Sequence, residues 1–405
     1  MFGLFGSGNI GNDGSLEAML GYLRTAHPGA VVNVLCPGPK RVRAGYGVEG
    51  TAMRWYTKYA DQTSGLTALP LKVLGKGLDV FRTAAWVRRQ DAVIVPGTGI
   101  LETTLPLRPW QTPYSLFLVC AAGKAFGTKV ALVSVGSNVT SKRVTRLLLA
   151  SAARLAFYRS YRDQQSWDAM RQAGVDTARD PVYPDLAFSL PDPAAEPGAE
   201  PVVGVGLMDF HGGNDDRQRA AELHDAYLAN MKIFVRWLVD GGRSVRLFTG
   251  DDVDDLAVQE ILADLRATRS DLDPERVMAV PTPSLSEMLR QLAVVDIVVA
   301  TRYHNVLCAL KLGKPTVSVG YAAKNASLMT KMGLSEFCQS AASVDADTLI
   351  EQFTELEKGS AELTQALTEL SAGYARQLDE QFSVLSARVL ASQPVVPVPE
   401  PAQPA

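Results

Sequence analysis

The clearest indication of the fold of this 405-residue chain is the segment Asp296-Ile297-Val298-Val299-Ala300-Thr301-Arg302-Tyr303-His304-Asn305. Its first half, Asp296–Ala300, is a short and mainly apolar run, which is typical of a strand buried on both faces. From Thr301 to about Leu312 the pattern predicts a helix. A strand, a short loop and a helix in this order form the repeating unit of a parallel sheet covered by helices.

The same alternation of short apolar runs and longer amphipathic stretches continues along the whole chain. The first half has strand candidates at Phe2–Phe5, Val31–Leu35, Ala92–Val95, Lys129–Val135 and Val182–Tyr183. The second half has them at Val202–Leu207, Ser244–Phe248, Val277–Val280, Asp296–Ala300 and Thr316–Val319. We therefore predict an α/β protein with parallel sheets, built as two Rossmann-like domains that face each other across a cleft.

Changes in composition mark the domain boundaries. Residues 191–201 are rich in proline, alanine and glutamate, and we interpret them as a linker between a domain at 1–190 and a domain at 202–345. The pattern is helical at 346–392, which predicts C-terminal helices. Residues 393–405 are proline-rich and have no core-forming period, so we expect a disordered tail.

Composition excludes several classes of function. Forty Lys and Arg against 43 Asp and Glu give a net charge of −3, so the chain lacks the basic footprint of nucleic-acid binding. It has no apolar run of about 18 residues that would span a membrane, and its start lacks the pattern of a signal peptide. Four widely spaced cysteines suggest a reducing compartment, so we expect a cytoplasmic protein. Four histidines without paired ligand spacing predict no metal site.

Residues 40–90 differ from the rest of the chain in charge. They contain ten Lys or Arg and three acids, with the aromatic residues Trp55, Tyr56, Tyr59, Phe81 and Trp86 interleaved. One interpretation is a set of ordinary amphipathic helices with solvated lysines. The other is a surface for anionic lipid headgroups or a lipid-linked diphosphate, which would place the protein peripherally at the inner face of the membrane.

The glycine-rich opening Gly6-Ser7-Gly8-Asn9-Ile10-Gly11 matches the spacing of a dinucleotide-binding turn. The second predicted strand ends in Cys36-Pro37, without the acid that would hold a ribose, so the match is weak evidence for a nicotinamide cofactor. The glycine-rich segment can still be interpreted as a turn that lets a ligand approach a helix N-terminus. Asn12 and Asp13 either cap that helix or contact hydroxyl groups, with Asp13 as a candidate base.

A second glycine loop, Pro96-Gly97-Thr98-Gly99-Ile100-Leu101-Glu102, follows the strand at Ala92–Val95. The carboxyl edge of a parallel sheet is where ligands bind, although turn geometry explains the glycines equally well. Glu102 is either a solvated loop acid or a second candidate base.

Cationic residues at two neighbouring helix starts predict an anion site. Thr301 is a suitable N-cap, but Arg302 and a potentially cationic His304 in the first turn oppose the helix dipole. An anionic ligand such as phosphate or carboxylate removes the conflict. The alternative is a histidine packed in the domain interface and an arginine paired to an acid. Lys324 lies near the next helix start, in Gly320-Tyr321-Ala322-Ala323-Lys324-Asn325.

The four acids of Thr249–Asp255 are interpreted as helix caps.

In order and spacing, these motifs resemble the polysaccharide pyruvyl transferase family. The matching stretches are Gly8–Asp13, the Gly97–Gly99 loop, Arg162-Asp163 with Ser166, Asp185–Phe188, Arg302–His304, and Tyr321 with Lys324. The resemblance covers nearly the whole chain and implies a glycosyltransferase-B-like fold. It also implies transfer of the enolpyruvyl unit of phosphoenolpyruvate to two hydroxyls of one sugar as a cyclic ketal, with release of phosphate and without a cofactor.

This resemblance assigns roles to the predicted residues. His304 would be a general acid or phosphate ligand, Arg302 a clamp for phosphate or carboxylate, and Asp13 or Glu102 the base. The donor-binding set is Thr301, Arg302, Tyr303, His304, Lys324 and Asn325. The acceptor, a sugar that is either lipid-linked or free of lipid, would lie against Gly8, Asn9, Asn12, Asp13, Gly97, Thr98, Gly99 and Glu102.

Two positions depart from the family pattern. Tyr303 stands where the family usually has leucine, and Met208-Asp209-Phe210-His211 follows a strand that typically ends in arginine. If that arginine binds the donor, His211 or Arg217 takes its place here, or the donor is bound differently. The alternatives are therefore a nucleotide-sugar-dependent glycosyltransferase of the same fold and a non-catalytic protein that binds anions or sugars.

Overall fold

The computed structural model describes residues 1–56, 68–102, 109–194, 201–213, 216–269, 271 and 273–391. Most of the predicted linker, all of the predicted tail, and residues 57–67 of the basic-aromatic segment lie outside these ranges. The described chain forms two α/β units in sequence order, each with parallel strands. This architecture confirms the predicted fold class.

The first unit alternates strands and helices. Its strands are β1 (Asn33–Cys36), β2 (Glu49–Ala52), β3 (Ala92–Pro96), β4 (Lys129–Val135) and β5 (Tyr158–Tyr161). Its helices are α1 (Ile10–Ala26), α2 (Pro39–Tyr46), α3 (Ala68–Val87), α4 (Thr112–Phe126), α5 (Arg143–Leu155) and α6 (Gln164–Gln172). The pairs β1–β2, β3–β4 and β4–β5 are all parallel.

The first residues of the chain join the two sheets of this unit. The Phe2 N–H donates to the Ile94 carbonyl at 2.9 Å, and the Leu35 N–H donates to the Met1 carbonyl at 2.8 Å. The predicted strand at Phe2–Phe5 is reduced to this short bridge, because the chain turns away at Gly6, where φ is +68°. Val182 likewise makes a single bridge, to Tyr161.

The second unit holds a six-stranded sheet in the order β11-β10-β9-β6-β7-β8. Its strands are β6 (Val202–Gly206), β7 (Ser244–Phe248), β8 (Val277–Ala279), β9 (Ile297–Ala300), β10 (Thr316–Gly320) and β11 (Cys338–Ser340). The helices between and after them are α7 (Ala220–Asp240), α8 (Asp255–Thr268), α9 (Leu285–Ala293), α10 (Tyr303–Lys311), α11 (Ala323–Lys331) and α12 (Ala346–Lys358). The strand order reverses between β6 and β9, which is where open parallel sheets bind ligands.

A long final helix, α13 (Ser360–Leu385), contacts both units. Its Ser371 hydroxyl donates to the Lys311 carbonyl in the second unit at 2.7 Å. Its Gln381 lies fully buried in the first unit, where it donates to the Ser160 hydroxyl at 2.6 Å and accepts from Ser134 at 2.9 Å. The helix therefore fixes the two units to each other. Among the described residues, none of the helices combines the length and the apolar character that a membrane span requires.

The two units also meet through α1. A Cβ placed on Gly14 would lie 2.0 Å from Leu285 Cδ1, so the backbone of α1 packs directly on α9. Close approach of this kind needs glycine, because any larger side chain would collide with the leucine. The contact brings the N-terminus of α1 to the carboxyl edge of the six-stranded sheet.

Candidate functional site

The loop after β9 differs from its predicted form. Arg302, not Thr301, occupies the N-cap position of α10, and no side chain of the described residues caps this helix. The Thr301 hydroxyl is instead hydrogen-bonded to the Tyr227 hydroxyl at 2.8 Å, and its carbonyl accepts from Asn325 at 3.2 Å. Thr301 and Asn325 are both buried, so they hold two neighbouring βα loops together. The uncapped helix N-terminus can bind an anion.

Arg302 is held by an acid. Its Nε and Nη2 donate to the two carboxylate oxygens of Asp254 at 2.8 and 2.6 Å. Asp254 is fully buried and also accepts from the Asp209 N–H at 3.0 Å. Asp254 occupies the N-cap position of α8 as expected, but its side chain makes no capping hydrogen bond, because its carboxylate accepts from Arg302 and from loop N–H groups. The pairing is the alternative that the sequence left open for Arg302.

His304 faces α1 across the domain interface. A Cβ on Gly11 would lie 1.9 Å from His304 Nδ1, so the ring rests directly on the α1 backbone. Burial, together with the cations Arg162 and Lys324 and against the acids Asp185 and Glu102, lowers the pKa of His304 to about 4, so the ring is neutral at neutral pH. Its Nε2 is enclosed and has no hydrogen-bond partner in the described part of the chain. The predicted cationic character of His304 therefore requires an anion beside it.

Arg162, at the end of β5, is the central cation of the site. It is buried and forms ion pairs with Glu102, with Asp185 at 3.4 Å and with Asp163 at 3.6 Å. The ring of Tyr303 covers the guanidinium, with 5.0 Å between Cζ and the ring centroid. A Cβ on Gly136 would lie 2.7 Å from that guanidinium, so glycine makes room for it. Arg162 therefore joins four segments of the chain at one point.

Glu102 connects Arg162 to Lys324, whose Nζ lies 3.3 Å from Glu102 Oε2. Burial alone would raise the pKa of Glu102, but Arg162 and Lys324 hold it below its usual value. Glu102 is therefore an ionised partner of two cations and a poor base. The Lys324 ammonium also lies 5.4 Å from the ring centroid of Tyr303, which fixes its position in the cleft.

Asp13 is the acid that is best suited to accept a proton. Burial raises its pKa to about 6, although the Gly6 N–H and Arg41 oppose the shift. Its Oδ1 accepts from the Gly6 N–H at 2.7 Å, so Asp13 supports the glycine-rich turn. It does not cap α1, since Asn9 accepts from the N–H groups of Gly11 and Asn12. Asn12 is partly exposed at the same helix end.

Asn9 also belongs to a contact between the two units. Its Nδ2 donates to Asp251 at 3.1 Å, and Arg41 forms an ion pair with Asp252 at 2.7 Å. This places the turn containing Gly8 beside the loop after β7. The acids of that loop therefore contact the first unit through Asp251 and Asp252, and they contact Arg302 through Asp254.

The loop at residues 97–99 is strained. Gly97 and the non-glycine residue Thr98 both have positive φ, +52° and +61°. Strain of this kind is common at functional sites. The Thr98 and Ser15 hydroxyls are buried and lack partners within the described residues. Gly99 packs against the Glu102 carboxylate, where a Cβ would lie 2.6 Å from its carboxyl carbon.

A cavity of about 280 Å³ opens beside this cluster. Among its lining residues are Arg162, Asp185, Tyr303, Lys324, Lys331 and Tyr374. Sequence motifs marked Arg162 and Asp185 as part of a family pattern, but their ion pair was not predicted. The partners lie 23 residues apart, and neither hydrophobic period nor loop composition reports such a contact.

Comparison with known proteins gives a family and a fold. The sequence model of the polysaccharide pyruvyl transferase family matches residues 9–322. No curated protein matches the chain.

Solved structures with a similar fold include a Listeria monocytogenes protein described as a UDP-N-acetylglucosamine 2-epimerase (TM-score 0.62, 12% identity, 97% of each chain covered). Anabaena HepE in complex with UDP-glucose has a TM-score of 0.57 at 14% identity and covers 95% of this chain and 98% of its own. The glycosyltransferase SnogD from Streptomyces nogalater has a TM-score of 0.54 at 17% identity, and the alignment covers 94% of this chain and 96% of SnogD. The fold is thus of the glycosyltransferase-B type.

Proposed function

Because the chain belongs to the polysaccharide pyruvyl transferase family, we propose that it transfers the enolpyruvyl group of phosphoenolpyruvate to two hydroxyls of one sugar. The product is a cyclic pyruvate ketal, and inorganic phosphate leaves. The observation that carries the proposal is the cluster of Arg162, Glu102, Lys324 and Tyr303 beside a neutral His304. A donor with a phosphate and a carboxylate would be bound by cations such as Arg162 and Lys324, which are paired with acids in this structure.

The donor would bind between Lys324 and the start of α10. The Lys324 ammonium and the uncapped N–H groups of α10 supply the positive charge, and Arg302 lies at the same helix end. An anion beside His304 favours the protonated ring, because opposite charge raises the pKa of a histidine. Donor binding would thereby load His304 with the proton that is transferred to the methylene carbon of the donor.

Proton transfers to the donor carbon and from both sugar hydroxyls then complete the proposed reaction. His304 protonates the methylene carbon of the donor, and positive charge develops at C2. The first sugar hydroxyl attacks C2 and gives its proton to Asp13, phosphate leaves with the C2–O bond electrons, and the second hydroxyl closes the ring and gives its proton to the released phosphate. Exchange with solvent removes the proton from Asp13 and restores the one that His304 gave to carbon. The two hydroxyl protons balance the one added to carbon and the one taken up with phosphate. No step requires a metal or another cofactor.

The acceptor would lie on the first unit. The turn that includes Gly8, Asn9 and Asn12, the loop from Gly97 to Gly99, and Asp13 surround the N-terminus of α1. We expect this surface to bind a sugar of a polysaccharide or of its precursor. The test is incubation with phosphoenolpyruvate and a panel of glycans. Phosphate release matched by the mass of one pyruvate ketal supports the proposal, and hydrolysis without a ketal contradicts it.

A surface on α3 supports a peripheral contact with the inner face of the membrane. Val73, Leu74, Val80 and Phe81 are all exposed on this helix, and Phe81 is 75% exposed. Their spacing places them on one face, and Lys72 lies beside them. An apolar face next to basic residues is typical of helices that lie on anionic lipid. Such a contact would bring a lipid-linked acceptor to the cytoplasmic enzyme.

The alternative is a nucleotide-sugar-dependent glycosyltransferase. The observation in its favour is the fold that the chain shares with HepE, whose structure contains UDP-glucose. This alternative requires a site for a uridine and a ribose as well as a diphosphate. Binding of UDP-glucose but not of phosphoenolpyruvate would favour it.

A further inference from the structure

We propose that Asp209, His211 and His224 form a binding site for a divalent transition-metal ion. Asp209 and His211 lie in the loop after β6, and His224 lies in the first turns of α7. One ligand atom from each of the three residues lies within 4.8 Å of the other two. The site is separate from the Arg162 cluster, and the inference does not depend on the proposed reaction.

The geometry of the three side chains suits a shared ion. His211 Nε2 lies 3.1 Å from Asp209 Oδ1, and His224 Nδ1 lies 3.4 Å from the same oxygen. The two imidazole rings are stacked, with centroids 4.3 Å apart and planes 7° from parallel. Both rings thus turn a nitrogen toward one carboxylate. Two imidazoles and a carboxylate are a common ligand set for zinc and related ions.

Hydrogen bonds among the described residues leave one ring nitrogen of this cluster without a partner. His224 Nδ1 is buried and has no hydrogen-bond partner among the residues that the structure describes. The chain has only four histidines, and two of them converge on one oxygen atom. An ion between the rings would use the nitrogen that otherwise lacks a partner.

The surroundings of His224 fit a metal ligand as well. On the far side of its ring, Nε2 lies 3.8 Å from Glu260, which Lys232 holds at 3.1 Å. A carboxylate behind a metal-binding histidine is the usual outer partner, since it orients the ring. His211 is half exposed, which leaves the site open to solvent and to an incoming ion.

The ion would stabilise a loop that supports Arg302. The Asp209 N–H donates to Asp254 Oδ1, the oxygen that also accepts from Arg302 Nη2 at 2.6 Å. An ion on the Asp209 carboxylate would fix this N–H in place. Nitrogen and oxygen ligands without thiolate favour Zn²⁺, Co²⁺ or Ni²⁺ over Mg²⁺ and Ca²⁺.

The test uses the full chain after treatment with EDTA and dialysis. Zn²⁺ is titrated by calorimetry, and Co²⁺ is titrated by visible absorption. We expect one equivalent of ion to bind, with a cobalt spectrum that has no thiolate charge-transfer band. His211→Ala and His224→Ala should each weaken binding by at least about tenfold. His27→Ala is the matched control, because His27 bonds to Ser386 far from this site.

Folding of each variant is checked by thermal unfolding without metal. Because His211 is half exposed, its replacement should leave the core intact. As a further variant, Asp209→Asn removes the charge of the Asp209 carboxylate while preserving the shape of the side chain. No binding of Zn²⁺ and Co²⁺ by the wild-type chain would overturn the proposal. Unchanged affinity in a folded His211→Ala variant, or a thiolate band in the cobalt spectrum, would overturn it as well.

Discussion

The ring of His304 rests on the Cα of Gly11, so closely that a Cβ at residue 11 would lie 1.9 Å from His304 Nδ1. Gly11 is in the first turn of α1, and His304 is in the first turn of α10. Two helix N-termini from different units thus meet at one histidine. This contact sets the width of the cleft and the burial that keeps His304 neutral.

Gly11→Ala should separate these helices. The added methyl group has no space, because the atom it meets belongs to a ring packed at an interface, so we expect a loss of about 1–3 kcal/mol in the free energy of unfolding. We also expect reduced phosphate release from phosphoenolpyruvate. Urea unfolding measures the first effect. Gly21→Ala on the same helix is the control, since nothing lies within 4 Å of its new Cβ, and equal losses in both variants would contradict the account.

Arg162→Met should destabilise the protein more than any surface charge removal. It leaves Glu102, Asp163 and Asp185 without their shared cation, and breaking a buried pair in this way costs about 3–5 kcal/mol. Arg43→Met, which breaks an exposed pair with Glu49, should leave the unfolding midpoint unchanged. Thermal unfolding of the two variants side by side checks the difference. A small loss for Arg162→Met would mean that the three acids are stabilised by other groups.

Asp13 should make stability fall as the pH rises. Its folded-state pKa of about 6 lies above its ordinary value, so the native state holds a proton that the unfolded chain has already lost. Stability from this residue is present below about pH 4 and is lost as the pH rises through 6. Asp13→Asn should flatten the slope between pH 4 and 7. Denaturant midpoints across that range measure it, and parallel slopes would contradict the shift.

The same residue should also control turnover. If Asp13 accepts the hydroxyl proton, phosphate release in the presence of the acceptor should decline below about pH 6, where the carboxylate becomes protonated. Asp13→Asn should lower kcat at all pH values by a factor of about 10²–10⁴. A variant that keeps wild-type turnover would show that another group is the base.

Phe81→Ser should weaken binding to anionic vesicles. Phe81 is exposed on the apolar face of α3, and its removal takes away buried area on lipid without affecting the protein core. Sedimentation with vesicles of phosphatidylglycerol and phosphatidylcholine measures the bound fraction. Phe126→Ser, which removes a phenylalanine that is exposed at the end of α4, is the control. Equal binding by both variants and the wild type would exclude α3 as a lipid contact.

Much of the fold could be predicted from the sequence because buried parallel strands leave long apolar runs. The runs at Lys129–Val135 and Ser244–Phe248 coincide with β4 and β7. Strand β11, Cys338–Ser340, was not predicted, because it is a short edge strand of mixed polarity. The segment at Phe2–Phe5 forms only a bridge, since glycines turn the chain after it.

The site was harder to predict for a different reason. Arg302, His304 and Lys324 are basic residues at helix N-termini, where the helix dipole favours acidic residues. This exception is visible in the sequence. The partners of Arg302 and Arg162 are not visible, because Asp254 lies 48 residues before Arg302 and Glu102 lies 60 residues before Arg162. Only the folded chain brings the ends of β3 and β5, in the first unit, close to the end of β9, in the second.

The most direct test of the central claim is thermal unfolding with phosphoenolpyruvate, compared with UDP-glucose, for the wild type, Lys324→Gln and the exposed control Lys358→Gln. A ligand at a hundred times its Kd adds about 2.7 kcal/mol to the stability of the native state. We expect phosphoenolpyruvate to raise the midpoint of the wild type and of Lys358→Gln but not that of Lys324→Gln, and UDP-glucose to have no effect. A rise with UDP-glucose alone would contradict it and would make the protein a glycosyltransferase.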